Sequence, residues 1–320
     1  MPHFDVFNGD ADGICALHQL RLASPCPEAE LITGPKREIR LLKRVLPAAG
    51  DSVTVLDISL DSNRDDLERI LAAGAHVRYF DHHFAGDESF EHALLTAHID
   101  TAPELCTSLL VDGWLNGKHR LWAITASFGD NLHTSARLAA APLGLDTPAL
   151  SALQRLGECL NYNGYGESLT DLWFDPAELY KTLQGYADPR HYIDESLAYR
   201  KLHDGYMADL RAAHELRALF ANDSAAAFEL PDAPWARRVS GILANQLAHK
   251  HPARAHAVLT PASGNKYTVS IRAPLDRPTG ADSLCREFPG GGGRAAAGGI
   301  NGLNAADVPL LLERMATHFA

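Results

Sequence analysis

Three short apolar runs, each followed by an acid, constrain this chain more than anything else in it. Phe4-Asp5-Val6-Phe7 leads to Asp10-Ala11-Asp12-Gly13, Val53-Thr54-Val55-Leu56 to Asp57, and Val77-Arg78-Tyr79-Phe80 to Asp81-His82-His83. Runs of this length bounded by turn-forming residues have the signature of buried strands. Segments with helical spacing lie between them: 12–23 with Ile14, Leu17, Leu20 and Leu22, 37–47 with Ile39, Leu42, Val45 and Leu46, and 63–73 with Leu67, Ile70 and Leu71, closed by Gly74. With a further short strand at 31–33, the alternation predicts an α/β domain built on a parallel sheet with helices on both faces. Open sheets of that kind gather ligands beyond the carboxyl ends of their strands. The acids are therefore expected to converge. A fourth candidate, Asp130, follows two buried helices expected at 106–115 and 120–128.

Converging carboxylates need compensation. Two like charges about 4 Å apart repel by roughly 4 kcal/mol at an effective dielectric near 20. Either some acids stay protonated or cations neutralise them. The set contains histidine and no cysteine, a hard-to-borderline donor set that suits Mn, Mg, Zn or Fe(II). Taken singly, Asp10-x-Asp12 reads more readily as a helix cap with a solvated charge, and Asp57 is weaker still. Three polar side chains in a row at the end of a buried strand, Asp81-His82-His83, have no comparable structural account.

The rest of the chain is expected to be mainly helical to residue 190, with helices near 135–141, 148–160 and 176–186. Asn161-Tyr162-Asn163-Gly164-Tyr165-Gly166 reads as an aromatic, turn-rich loop, either a helix connection or a substrate-facing lid. A long amphipathic helix over 191–220 predicts a connector. Beyond it, strands at 225–230, 255–260 and 266–272 alternate with helices at 236–250, 280–287 and 305–318, with Gly290-Gly291-Gly292-Gly293-Arg294 before the last. The domains read as 1–190, a connector at 191–222, and a smaller α/β domain at 223–320.

The chain carries a net charge of −11 over 320 residues. Tracking of a long duplex rests on phosphate neutralisation by a basic face, so this balance argues against it. The charge is uneven: residues 235–294 hold nine Lys or Arg against three acids. The first domain thus reads as built for cations and the second for anions. Five scattered cysteines without a CxxC spacing argue for a reducing compartment. The first residues lack a basic segment followed by an apolar one, and no apolar run spans a bilayer. A cytoplasmic location without membrane association is expected, and the reading admits a homodimer.

The order Asp-x-Asp, then Asp, then Asp-His-His, then Asp resembles the DHH phosphoesterase superfamily, which includes RecJ-type exonucleases and nanoRNases. Ser270-Ile271-Arg272, the glycine run and Ala296-Ala297-Gly298 resemble the DHH-associated domain. The resemblance covers both ends of the chain. It implies a parallel-sheet DHH domain joined by a long helix to a DHH-associated domain that binds substrate phosphate. It also implies two divalent metal ions, usually manganese. Asp10 and Asp57 would hold the first, and Asp12, Asp57, His82 and Asp130 the second. His83 would lie near the reacting phosphate, Asp81 would support the cluster, and Asp57 would share in catalysis as the bridging ligand. A water activated between the two ions would attack phosphorus. Asn8, Arg272, Gly291, Gly292, Gly293 and Arg294 would meet the substrate; bare glycine amides and arginine forks suit an anion. Two positions depart from the pattern. Asn8 stands where many members carry histidine, and Gly293 stands where the glycine loop ends in one.

These residues imply a phosphoesterase acting on a short oligonucleotide, a nucleotide or a cyclic dinucleotide, with domain closure over it. Two alternatives stay open: a pyrophosphatase or polyphosphatase, and a nucleotide-binding regulatory protein that has lost catalysis.

Overall fold

The computed structural model describes residues 2–87 and 89–320. The chain divides into two compact units, one through Asp204 and one from Gly205 to Ala320.

In the first unit, strands β1 (His3–Phe7), β2 (Glu30–Ile32), β3 (Ser52–Leu56), β4 (His76–Asp81) and β5 (Leu95–Ile99) form one sheet in the order β2-β1-β3-β4-β5. Every pairing in it is parallel. Helix α1 (Ala11–Ala23) links β1 to β2, and α2 (Arg64–Ala72) links β3 to β4. One core joins Val6, Ile32, Val53, Val55 and Val77 from the sheet to Leu67 and Ile70 of α2. Helices α3 (Thr107–Trp114), α4 (Arg120–Gly129), α5 (His133–Ala140), α6 (Thr147–Gly164), α7 (Pro176–Leu183) and α8 (Pro189–Glu195) follow. Ile124 and Phe128 of α4 bury against Ala136 of α5 and Leu153 of α6.

Helix α9 (Leu197–His214) carries the chain across the division at Asp204. In the second unit β6 (Phe220–Ala221), β7 (Ala225–Glu229), β8 (Ala255–Ala262), β9 (Lys266–Arg272), β10 (Gly291–Arg294) and β11 (Ala297–Asn304) form a sheet in the order β10-β11-β9-β8-β7-β6. β7 and β8 pair in parallel and the other neighbours antiparallel. Helices α10 (Pro234–Lys250), α11 (Ala281–Arg286) and α12 (Val308–His318) complete the unit. Its core joins Val269, Ile271 and Leu259 to Leu284, Leu311 and Met315.

Several expected elements come out differently. Residues 37–47 hold only a single 3-10 turn, Leu41–Arg44. Leu41, Leu42 and Val45 are buried all the same. Side chains from α2 and the turn before it take over the backbone groups a helix would have satisfied: Asn63 bonds the Leu42 amide and the Ile39 carbonyl, and Arg69 donates to the Leu42 and Val45 carbonyls. Asn161–Gly164 is no loop but the last turn of α6. The Asn163 amide pairs with both the N–H and the C=O of Phe174, so it does not compete with its own helix. The connector is two helices, because Ser196 turns extended and its hydroxyl accepts from the Tyr199 amide as the N-cap of α9. The glycine run is an edge strand. A Cβ on Gly291 would lie 1.7 Å from the Cys285 carbonyl oxygen, so close packing of β10 on α11 requires the bare backbone there. Arg238 is 7 % exposed and pairs with Asp209 at 2.7 Å.

Candidate metal centre

The carboxyl ends of β1, β3 and β4 bring Asp10, Asp12, Asp57, Asp81, His82 and His83 to one edge of the first sheet, and the C-terminus of α4 adds Asp130. Asp10 is the N-cap of α1: its Oδ1 accepts from the amides of Asp12 and Gly13 at 3.0 and 3.1 Å. Asp12, fully buried, reaches the N-terminus of α3, where its two oxygens accept from the Thr107 and Ser108 amides, each at 2.7 Å. A carboxylate there is favoured by the orphan amides and the helix dipole. Asp57 follows β3 with a positive φ of 60°, a region that Asp tolerates better than most residues. Its amide is held by the Phe80 carbonyl at 3.0 Å, and its Oδ1 accepts from the Thr107 hydroxyl at 3.2 Å.

His82 is oriented from behind. Its Nδ1 lies 2.9 Å from the Leu105 carbonyl oxygen, which can only accept, so the proton sits on Nδ1 and the Nε2 lone pair faces forward. That Nε2 lies 3.4 Å from Asp57, 3.7 Å from Asp130 and 3.9 Å from Asp12. These separations exceed good hydrogen bonds. They match donors sharing one ion, since ligand bonds near 2.1 Å place neighbouring donors about 3 Å apart and opposite ones about 4 Å apart. Among the described residues, two groups of three bring single donor atoms within 4.8 Å of one another: Asp12, His82 and Asp130, and Asp57, His82 and His83. His83 stands in front, half-exposed, with its Nδ1 on Asp81 Oδ1 at 2.7 Å. The other oxygen of the buried Asp81 has no hydrogen-bond partner in the protein.

The charge balance shows strain. Burial, then the charges of Asp10, Asp12, Asp130 and Asp81, push the Asp57 carboxyl well above its ordinary value. Burial and Asp130 likewise raise Asp12. Burial works against the His83 cation, but the Asp81 carboxylate outweighs it and raises that imidazole. Such a cluster calls for a multivalent cation, and the donor set fits a hard or borderline divalent ion.

One member was not anticipated. Lys36 enters from the end of β2, and its ammonium lies 2.6 Å from Asp10 Oδ2, 3.2 Å from Asp130 Oδ1 and 3.3 Å from Asn161 Oδ1. Its own amide donates to the Gly164 carbonyl at the end of α6. Burial opposes charge on Asp10, yet Lys36 prevails and holds that carboxyl below its ordinary value. The signal lay in the position: β2 neighbours β1 in a parallel sheet, so residues just past it reach the same edge. Attention to acids alone passes over a base delivered there.

Asn8 is buried beside Asp10, its side-chain oxygen without a protein partner. The remaining expected residues belong to the second unit. Cross-strand pairing places Arg294, Ala297, Arg272 and His256 in one row. The two arginines share that row two strands apart, roughly 10 Å at ordinary sheet spacing. Arg272 is braced by a 2.7 Å bond from Nε to Asn245. Gly291, Gly292 and Gly293 pair with Ile300, Gly299 and Gly298 of β11.

The fold is similar to that of solved structures of exonuclease RecJ and of a phosphodiesterase. Manganese-bound exonuclease RecJ superposes with a TM-score of 0.63 at 17 % identity, over 99 % of this chain and 89 % of that one. The pGpG-specific phosphodiesterase PggH of Vibrio cholerae gives 0.57 at 14 % identity, over 99 % of this chain and 100 % of that one. Mn2+-bound RecJ from Thermus thermophilus gives 0.54 at 18 % identity, and the match spans 51 % of its length. No family model matches the sequence, and no curated protein matches it significantly.

Proposed function

We propose that this protein is a divalent-metal-dependent phosphoesterase that hydrolyses a small phosphorylated substrate, of the size of a short oligonucleotide or a nucleotide. The observation that carries the reading is the His82 lone pair facing three carboxylates at ion-sharing distances, with its tautomer set by the Leu105 carbonyl. Asp12, Asp57, His82 and Asp130 would hold the ion, with manganese the first metal to test. A divalent ion bound there supplies Lewis acidity toward a phosphoryl oxygen and lowers the pKa of water.

The chain's own side chains do the rest. The α3 amides and the Thr107 hydroxyl fix Asp12 and Asp57, so little reorganisation remains when substrate arrives. Asp81 holds His83 by Nδ1 and leaves its Nε2 to face substrate, where it can give a proton to the leaving oxygen. Considered by itself, the second unit carries Arg272 and Arg294 in one row, forked donors of a kind suited to a phosphate. End-to-end correspondence with the pGpG phosphodiesterase supports a dinucleotide-sized substrate over a long chain, as does the net charge of −11. All five cysteines are unpaired, which supports a reducing compartment. No helix among the described residues is long and apolar enough to cross a membrane.

The test is a manganese-supplemented panel of dinucleotides, 3′-phosphorylated nucleotides, cyclic dinucleotides and pyrophosphate. Asp57→Ala and His82→Ala should each lower turnover by at least about 100-fold, the upper range for loss of even an outer-shell metal partner. Equal rates in wild type and variants would refute the reading. Turnover of pyrophosphate alone would move it to a pyrophosphatase. Nucleotide binding without turnover would move it to a regulatory protein.

A further inference from the structure

We infer that Lys36 occupies one of the two cation positions of this centre, so that the chain binds a single divalent ion beside a built-in ammonium. The inference rests on the metal-dependent reading above and changes its ion count. Asp10 spends both oxygens within the protein: Oδ1 accepts two α1 amides, and Oδ2 meets the Lys36 ammonium at 2.6 Å. Neither group of converging donor atoms includes Asp10. Both groups depend on His82, whose Nδ1 is committed to Leu105, so its one remaining lone pair serves one ion. Asp130 divides itself, with Oδ1 toward Lys36 and Oδ2 toward His82. It thereby marks the border between the ammonium and the ion.

The arrangement is built rather than incidental. Asn161 is a third acceptor for the ammonium, and the Tyr165 ring lies 5.6 Å below it. The backbone of Lys36 is pinned to the end of α6. Asn8, two residues before Asp10, carries an amide, a far poorer donor to a second ion than an imidazole. Its buried oxygen has no partner, so a second ion would have that atom to hold it, and this is the arrangement the experiment must exclude. An ammonium in place of an ion keeps positive charge near the phosphate without a second dissociable cofactor. Lys36 is thus a positioning and charge-balancing residue.

The test counts ions rather than turnover. Protein stripped with a chelator is titrated calorimetrically with Mn2+, and the loaded form is examined by electron paramagnetic resonance. The wild type should take up one ion per chain and give the spectrum of an isolated Mn(II). Asp10→Asn, which keeps a good helix cap, should retain that ion, whereas Asp12→Asn and His82→Ala should lose it. Lys36→Met, checked for folding by circular dichroism, should take up a second ion and show spin coupling between the two. Two coupled ions in the wild type, loss of the ion in Asp10→Asn, or a single ion in folded Lys36→Met would each overturn the inference and leave the metal-dependent reading standing. A wild type that binds no Mn2+ would overturn both.

Discussion

His18 illustrates how a single buried side chain ties stability to pH. It is 1 % exposed on α1, its Nε2 donates to the Tyr186 carbonyl at 2.8 Å, and its ring meets Trp122 edge-on. Burial, reinforced by His119, depresses its pKa to about 4 despite the carbonyl bond. The unfolded chain therefore binds a proton near pH 6.5 that the native state refuses until about pH 4, and stability falls as pH drops through that window. Between pH 7 and pH 5 the loss should be about 2 kcal/mol, read as a lower denaturant midpoint. His18→Gln keeps a donor and should flatten that share of the slope; His256, also depressed to about 4, contributes in the same direction in the second unit. An unchanged slope in the variant would refute the assignment. At this scale the acids of the site were legible, because a charged residue just past a buried strand is conspicuous. Lys36 was not: one lysine after a proline looks like any solvated charge, and only the strand order shows where it goes.

Among the elements, the crossing of α4 and α6 is tightly constrained. A Cβ on Gly157 would lie 2.0 Å from the Thr125 carbonyl oxygen and 2.9 Å from the Gly129 amide. Both are backbone atoms in helices, so no rotamer change relieves the clash. Gly157→Ala should lower stability by about 1–3 kcal/mol, the usual cost of overpacking, although alanine is the better helix former. A variant as stable as wild type would mean that the helices slide apart freely. The strands with apolar runs were readable from sequence. Leu95–Ile99 was not, because that edge strand buries none of its residues fully and shows no apolar run. Ala297–Asn304 escaped for a related reason, since its glycines are poor strand formers and are placed there by packing. The helix expected over 37–47 failed because its apolar spacing describes burial, which neighbouring side chains achieve without helical bonds.

For the molecule as a whole, the proposed ion is expected to act on folding as well as chemistry. A ligand bound only by the native state adds stability in proportion to the logarithm of its saturation, about 2.7 kcal/mol at a hundredfold excess over its dissociation constant. Mn2+ should raise the melting temperature of the wild type and leave that of His82→Ala unmoved. Added protection from hydrogen exchange should concentrate on peptides carrying Asp10–Gly13, Asp57, His82 and Thr107–Ser108. Protection spread evenly along the chain would argue for nonspecific binding.

The double duty of Asp12 matters for reading other chains of this shape. The same carboxylate that faces His82 also fastens the start of α3 to the start of α1. A related chain with no hydrolytic activity would still need it to keep those two helices joined. Its survival in a distant cousin says little about activity, whereas loss of the imidazole at position 82 would be the earlier sign that the proposed ion site has gone.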